Sequence, residues 1–453
     1  MKAYGRIMPV FDEPNLVSHA GLAPVLALAD RAGLSELVGE HVTLPAANLD
    51  VKTHTVIAGM LAGADSIDDL DVLRAGATSR VIGQVRAPST IGTFLRQFQH
   101  GYVLQLAAVN RRLLQNLAAL VPDLAGDGLV RVDVDDTIRE VHGHRKQGAA
   151  FGYSGVRGLN GLLATISTAT SAPVVGEFSL RRGNVRSGAS ADWFIPRALA
   201  TVGKIAPGRQ VIVRGDSAFC THRNVSAALK SGAWFSFTIP HWPTVTAAIG
   251  QIPEELWEPI VYPKAIADPD TGELVSDAHV AEVPFTVFTS KPKDQQVACR
   301  LVVRRVKRLN ENAKHGQDTL FDAWRYHAFI TNSTLNTIDA DIEHRQHAVV
   351  EQVIGELKGG PLAHLPSGKF SANAAWLGFA VLAFNISRAA ATAAGHAAAR
   401  MATLLRILTA TPARIASTGR RQVMHLPARW PWANAWIRLW TIATGTGPPT
   451  AAT

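Results

Sequence analysis

One stretch limits what this chain can be: Leu129-Val-Arg-Val-Asp-Val-Asp-Asp-Thr137. Apolar residues alternate with charged ones, which is the period of a β-strand. In a strand, Asp133 and Asp135 point to one face and Val132 and Val134 to the other. Carboxylates held this close repel, so they persist mainly where a cation or a shared proton offsets them. The pattern fits either an acidic loop after a strand or a divalent-metal or phosphoryl site.

Two further stretches belong with it. Val211-Ile-Val-Arg-Gly-Asp-Ser-Ala-Phe219 reads as an apolar strand ending in Gly215 and Asp216. Asp341 to Lys358 reads as a helix with Glu351 at its centre. At 3.6 residues per turn, His344, His347, Glu351 and Lys358 would share one face. Val350, Val353, Ile354 and Leu357 would make the opposite, core-facing stripe. Two strand-end aspartates and a helix glutamate suit magnesium, which wants hard oxygen ligands and takes few of them from protein. Two such ions, about 3.5–4 Å apart, can activate a water and stabilise a leaving oxygen at a phosphodiester.

The 453 residues suffice for two or three domains. A net charge of +9 points to a polyanionic partner. Cys220 and Cys299 alone give neither a disulfide framework nor a zinc spacing. The start has Lys2 and Arg6 but no apolar segment of useful length, and the longest apolar run, Ala374 to Ile386, is too short to span a bilayer. A cytoplasmic protein with no membrane association is expected.

Residues 1–125 read as helical, with Pro88-Ser-Thr-Ile-Gly-Thr-Phe-Leu-Arg-Gln-Phe98 as the second helix of either a helix-turn-helix or a plain bundle. It would present Thr93, Arg96 and Gln97 outward. Residues 126–233 begin an α/β part. Its glycine-rich loop, 148–161, lacks a phosphate-loop lysine and reads as a turn between strands. Residues 234–333 read as a β-rich insertion punctuated by prolines. Helices return in 334–395 and in a basic region, 396–453. No Asp or Glu follows Glu356, while Arg388, Arg420 and Arg421 are among the cations that do. Such exclusion of acid favours contact with phosphates over a merely solvated face.

In order, these features resemble the DDE transposases of bacterial insertion sequences. The resemblance rests on Asp135-Asp-Thr137, Tyr153-Ser-Gly-Val-Arg-Gly158, Leu180-Arg-Arg-Gly-Asn-Val185, Arg214-Gly-Asp-Ser-Ala-Phe219 and Glu351-Gln-Val-Ile-Gly-Glu-Leu-Lys358. It implies an α/β fold: a ribonuclease-H-like mixed-sheet core with a β-rich insertion, a helical DNA-binding N-terminal region and a helical basic C-terminal region. It further implies Asp135, Asp216 and Glu351 as a catalytic triad holding two Mg2+ ions, with Mn2+ able to substitute. Asp133 is the alternative first ligand. The implied chemistry is cleavage at the terminal inverted repeats and joining of the 3′-hydroxyl ends to target DNA, by at least a dimer in the bacterial nucleoid. Lys358 would hold a phosphate, and Arg96, Arg420 and Arg421 would add DNA contacts. His344 and His347 stand where relatives carry Tyr and Arg, with Arg345 close by; each could meet DNA, a histidine when protonated.

Two rival readings remain. Asp133-Val-Asp-Asp-Thr137 also fits the signature of haloacid-dehalogenase-like phosphatases, with Asp133 as nucleophile and Asp135 as general acid. The other rival is a catalytically inactive, transposase-derived DNA-binding regulator.

Overall fold

The computed structural model describes residues 7–261, 277–307, 324–419 and 421–447. After a short strand, β1 (Leu16–Val17), come six helices: α1 (Leu22–Arg31), α2 (Leu34–His41), α3 (Leu49–Leu61), α4 (Thr78–Ile82), α5 (Pro88–Gln97) and α6 (His100–Leu120). Helix α6 buries Val103, Leu106, Val109, Leu113 and Leu117, a stripe at helical spacing. Helix α5 starts on Pro88, whose missing N–H costs nothing at a first turn. It buries Ile91, Phe94 and Leu95 and leaves Thr93, Arg96 and Gln97 exposed, as the sequence predicts.

The acidic stretch is strand β2 (Val130–Glu140). Next come β3 (Ala150–Phe151), β4 (Arg157–Ser167), β5 (Val174–Arg182), α7 (Ala191–Ile205), β6 (Val211–Gly215), α8 (His222–Lys230) and β7 (Trp234–Thr238). Strand β4 lies antiparallel to β2 on one side and to β5 on the other, while β2, β6 and β7 run parallel. The mixed α/β core is therefore β5-β4-β2-β6-β7. Helix α7 packs on β2, β4 and β5.

The boundary expected at residue 234 falls on a core strand. Trp234–Thr238 closes the parallel set, and the next four strands extend the same sheet. After α9 (Pro243–Gly250) come β8 (Glu258–Ile260), β9 (Ala278–Val287), β10 (Val297–Lys307) and β11 (Trp324–Thr331), in the order β7-β11-β10-β9-β8. All four pairings are antiparallel. Hydropathy marks strands but not their partners, so an extended sheet and a separate β-domain read alike in the sequence. The tryptophans of this region have protein neighbours: Trp257 is buried beneath the Arg305 guanidinium, 4.4 Å from its ring, and Trp242 packs near Phe288.

Helices α10 (Thr337–Arg345) and α11 (Val349–Lys358) are joined by a 3-10 turn over Gln346–Ala348. The apolar run lies in α12 (Phe370–Ala393), the one helix among the described residues long and apolar enough to cross a membrane, and the apolar window is wholly buried inside the protein. It contacts α3, α5, α6 and β5. The chain ends with α13 (Met401–Leu404), β12 (Ala413–Thr418), β13 (Arg421–His425) and α14 (Ala433–Thr444). Strand β12 pairs with β1, and α14 packs on α1. The basic C-terminal region is thus built onto the N-terminal helices. Arg388 is not part of a basic surface: it is 1% exposed and lies 3.4 Å from the buried Glu356 carboxylate.

Candidate active site

The site begins with strand register. In the parallel pairing of β2 with β6, Asp133 lies opposite Arg214 and Val134 opposite Gly215. One step on, Asp135 and Asp216 emerge side by side where β6 ends. Asp216 caps a 3-10 turn, Ser217–Phe219, its Oδ1 accepting the Ala218 N–H at 2.9 Å. Asp135 accepts the Asp136 N–H at 2.7 Å.

Asp135 is half-buried and Asp216 exposed, and among the described residues neither has a cation within ion-pair distance. Burial pushes the Asp135 carboxyl up to about 6; the Asp136 N–H and the His347 charge oppose this, and Asp216 and Asp136 add to it. Partial desolvation by its neighbours also raises the exposed Asp216, against its backbone hydrogen bonds and the His347 charge, with Asp136 contributing repulsion. These are hard-oxygen donors short of positive charge, so the pair fits a divalent cation.

Asp133 is in the opposite condition. It is fully buried and receives two parallel hydrogen bonds from Arg214, Nε to Oδ1 at 2.6 Å and Nη2 to Oδ2 at 2.8 Å. His347 Nδ1 adds a third contact at 3.0 Å. Burial favours the neutral acid, but the charge of Arg214 and these hydrogen bonds hold Asp133 below the usual carboxylate range. Arg214 continues to Glu343 Oε1 at 2.8 Å, and Glu343 is clasped by Arg131 at 2.6 and 2.7 Å. Both Asp133 oxygens are engaged away from solvent. The expectation of Asp133 as a metal ligand, or as a phosphatase nucleophile, is therefore corrected: it anchors β2, β6 and α10 to one another. Arg131 and Glu343 are absent from the sequence reading. A buried arginine on an apolar strand was their signal, because such a charge requires a partner.

Asp136 points to the other face of β2. It accepts hydrogen bonds from Arg181 Nη2 and Asn160 Nδ2, both at 2.5 Å, and Arg181 also donates to the Ser187 and Ala189 carbonyls ahead of α7.

Glu351 stands exposed in the first turn of α11, whose buried Val350, Val353, Ile354 and Leu357 seat it on β2 and β4. Each such side chain contributes roughly 1.5–3 kcal/mol. Among the described residues, no three His, Cys, Asp or Glu side chains lie close enough to hold one ion. Glu351 therefore lies on a helix packed against the strand that carries Asp135 but joins no ligand cluster among the described residues.

A 3-10 turn interrupts the predicted continuous helix, and His344, His347 and Glu351 end in different surroundings. His344 stacks on Phe329, centroids 4.1 Å apart, with Nδ1 at 2.8 Å from Ser236 Oγ and Nε2 at 3.0 Å from Thr238 Oγ1. Burial, with the neighbouring charges of His347 and Arg214, holds it well below the usual histidine value. The expected protonated, phosphate-meeting His344 is corrected to a neutral packing residue. His347 sits against Asp133: burial opposes its charge, but Asp133 outweighs burial and Asp135 adds to the effect, so its pKa is raised. Arg345 is paired with Asp341 at 2.8 Å. Lys358 lines a cleft beside β2. Arg96 and Arg421 are exposed. Arg420 lies outside the described residues.

A family model described as transposase DDE domain group 1 matches residues 2–443. Among curated proteins the chain has no match. One solved structure it is similar to is a piggyBac transposase synaptic complex with hairpin DNA, at 10% identity and a TM-score of 0.40, over 96% of this chain and 83% of that one.

Proposed function

The chain belongs to the transposase DDE domain group 1 family, and from that premise we propose that it binds the terminal inverted repeats of an insertion sequence, cleaves DNA there and joins the 3′-hydroxyl ends to target DNA. The observation that carries the catalytic part is the register that sets Asp135 beside Asp216, neither with a cation within ion-pair distance among the described residues. The order β5-β4-β2-β6-β7, with β4 alone antiparallel to the other four strands, supports a ribonuclease-H-like core.

Asp135 and Asp216 would hold Mg2+, or Mn2+ in its place, and Glu351 would complete the set. When bound, a pair of such ions supplies Lewis acidity and an activated water at phosphorus. The chain's own residues do the rest. Asp133, clamped by Arg214, fixes β2 so that the next acid on the same face meets Asp216. His347 sets a positive charge behind both carboxylates. Lys358 offers a point charge to a phosphate. Arg96 and the exposed Arg421 supply sequence-independent attraction. Joining two ends calls for at least two protomers.

The test is incubation with DNA carrying the element's own ends, with and without Mg2+. Strand-specific nicks that require the ion are expected. Tight end binding with no nicking under any divalent ion would reassign the protein as a regulator.

A further inference from the structure

The two faces of α11 have different surroundings. Val350, Val353, Ile354 and Leu357 are buried, and the helix packs on β2 and β4. Gln352, Gly355 and Glu356, neighbours at helical spacing, line a separate cavity of about 500 Å³. The end of α3 and the start of α13 complete it with Met60, Leu61, Met401 and Leu405. That volume lies in the range of cavities that hold small organic molecules, and apolar walls with a few polar groups are their usual make-up. The two methionines give the wall freedom to fit an occupant's shape.

Gly355 keeps this space open at a cost to the helix. It lies inside α11, where glycine is less stable than alanine. Its φ is not left-handed, and a Cβ added to it would meet no atom within 4 Å. Neither backbone strain nor packing against the described residues therefore calls for a glycine. What a side chain here would displace is an occupant of the cavity.

Glu356 sets the chemistry of that occupant. Its side chain is only 7% exposed. Oε2 accepts the Met401 N–H at 2.7 Å and faces the buried Arg388 guanidinium at 3.4 Å, so the carboxylate charge is already matched. Oε1 accepts from Gln352 Nε2 at 3.2 Å, and a carboxylate oxygen has room for a second donor. A cationic occupant would bury a charge in excess, and a phosphate or carboxylate would be repelled by Glu356. The other charged group of the lining, Arg400, is exposed. We propose that this cavity binds a small, uncharged, largely apolar molecule that donates one hydrogen bond to Glu356. Such a ligand would sit against the helix that carries Glu351, at a place that neither the metal ligands nor the DNA contacts proposed above use.

The probe is indole, an apolar ring system with one N–H donor, and the control is N-methylindole, which has none. In the full-length protein with isotope-labelled methionine methyls, NMR reads Met60 and Met401 against Met8 and Met424, which do not line the cavity. Indole should shift the Met60 and Met401 signals and leave the other two in place. A hydrogen bond to a charged acceptor predicts that N-methylindole binds roughly ten-fold more weakly. Gly355→Leu fills the cavity with a residue that favours the helix, so it should raise the melting temperature and abolish the indole shifts. Gly355→Ala, whose Cβ enters the same open space, should fold and weaken indole less. Unmoved Met60 and Met401 signals, equal affinity for the two indoles, or indole affinity unchanged in both Gly355 variants would overturn the proposal. So would Met60 and Met401 signals that follow protein concentration and ignore indole, because the cavity would then be a contact between copies of the chain.

Discussion

Arg214 holds Asp133 by two hydrogen bonds of 2.6 and 2.8 Å, and each of these residues stands two places before a candidate catalytic carboxylate. The ion pair lies one pleat behind Asp135 and Asp216 and locks the strands that carry them. This sorts two acids that share one face of one strand: the inner is neutralised by the protein, the outer left for a cation.

Asp133 should therefore behave as a structural residue. Asp133→Ala leaves the buried Arg214 without its main partner, which costs about 3–5 kcal/mol. Urea unfolding should show that loss. A variant of full stability that has lost only metal binding would return Asp133 to the set of ligands.

Asp135 predicts a pH dependence. Its carboxyl is raised from the ordinary 3.8 to about 6. A protonated acid is a poor ligand, so Mn2+ affinity and nicking should rise as pH climbs through about 6. The stability effect has the opposite sign. The folded state holds this proton more tightly than the unfolded chain, so metal-free stability falls as pH rises from 3.8 through about 6. Asp135→Asn should then stabilise the metal-free protein above that window by about 1–2 kcal/mol, after screening of a partly exposed group. Below the window the two proteins should unfold alike. Thermal unfolding on both sides of it checks the sign.

The DNA contacts divide in a way that salt titration can read. Arg421→Ala should reduce the slope of log affinity against log salt by about 0.9 if it meets one phosphate. His344→Ala should leave that slope unchanged and cost about 2–4 kcal/mol of stability, from lost packing and hydrogen bonds. A His344 variant with normal stability and a flatter slope would reverse its reading as a packing residue.

These residues show where sequence legibility ends. The alternation in β2 and the hydrophobic stripe of α11 are local, so both are readable. The choice between Asp133 and Asp135 is not, because period-2 patterning puts them on one face; the register with β6, 81 residues away, decides it. The common face of His344, His347 and Glu351 assumes an unbroken helix, and Gln346–Ala348 tightens to about 3 residues per turn. Arg388 counts as surface charge in a composition and is a buried partner of Glu356 in the fold. Trp234–Thr238 reads as the start of an insertion because its parallel partner, β6, lies beyond a helix.

Glu351 should behave differently from the two aspartates. Asp135 and Asp216 are adjacent without DNA, whereas Glu351 is exposed on its helix and joins no ligand cluster among the described residues. The free protein should then bind Mn2+ through the two aspartates alone, and weakly. DNA, by adding phosphate oxygens and drawing α11 inward, should tighten the ion, and the ion should tighten DNA by the same factor. Calorimetric titration can separate the three acids. Asp216→Asn removes a hard anionic ligand, so it should abolish Mn2+ binding with or without DNA and leave only the ion-free affinity for the ends. Glu351→Gln should leave the DNA-free Mn2+ affinity unchanged, erase the gain on adding DNA and abolish nicking. If Glu351→Gln weakens Mn2+ binding in the free protein as much as Asp216→Asn does, the three carboxylates already meet before DNA arrives. Closure of α11 onto the site would then have no part in assembling it.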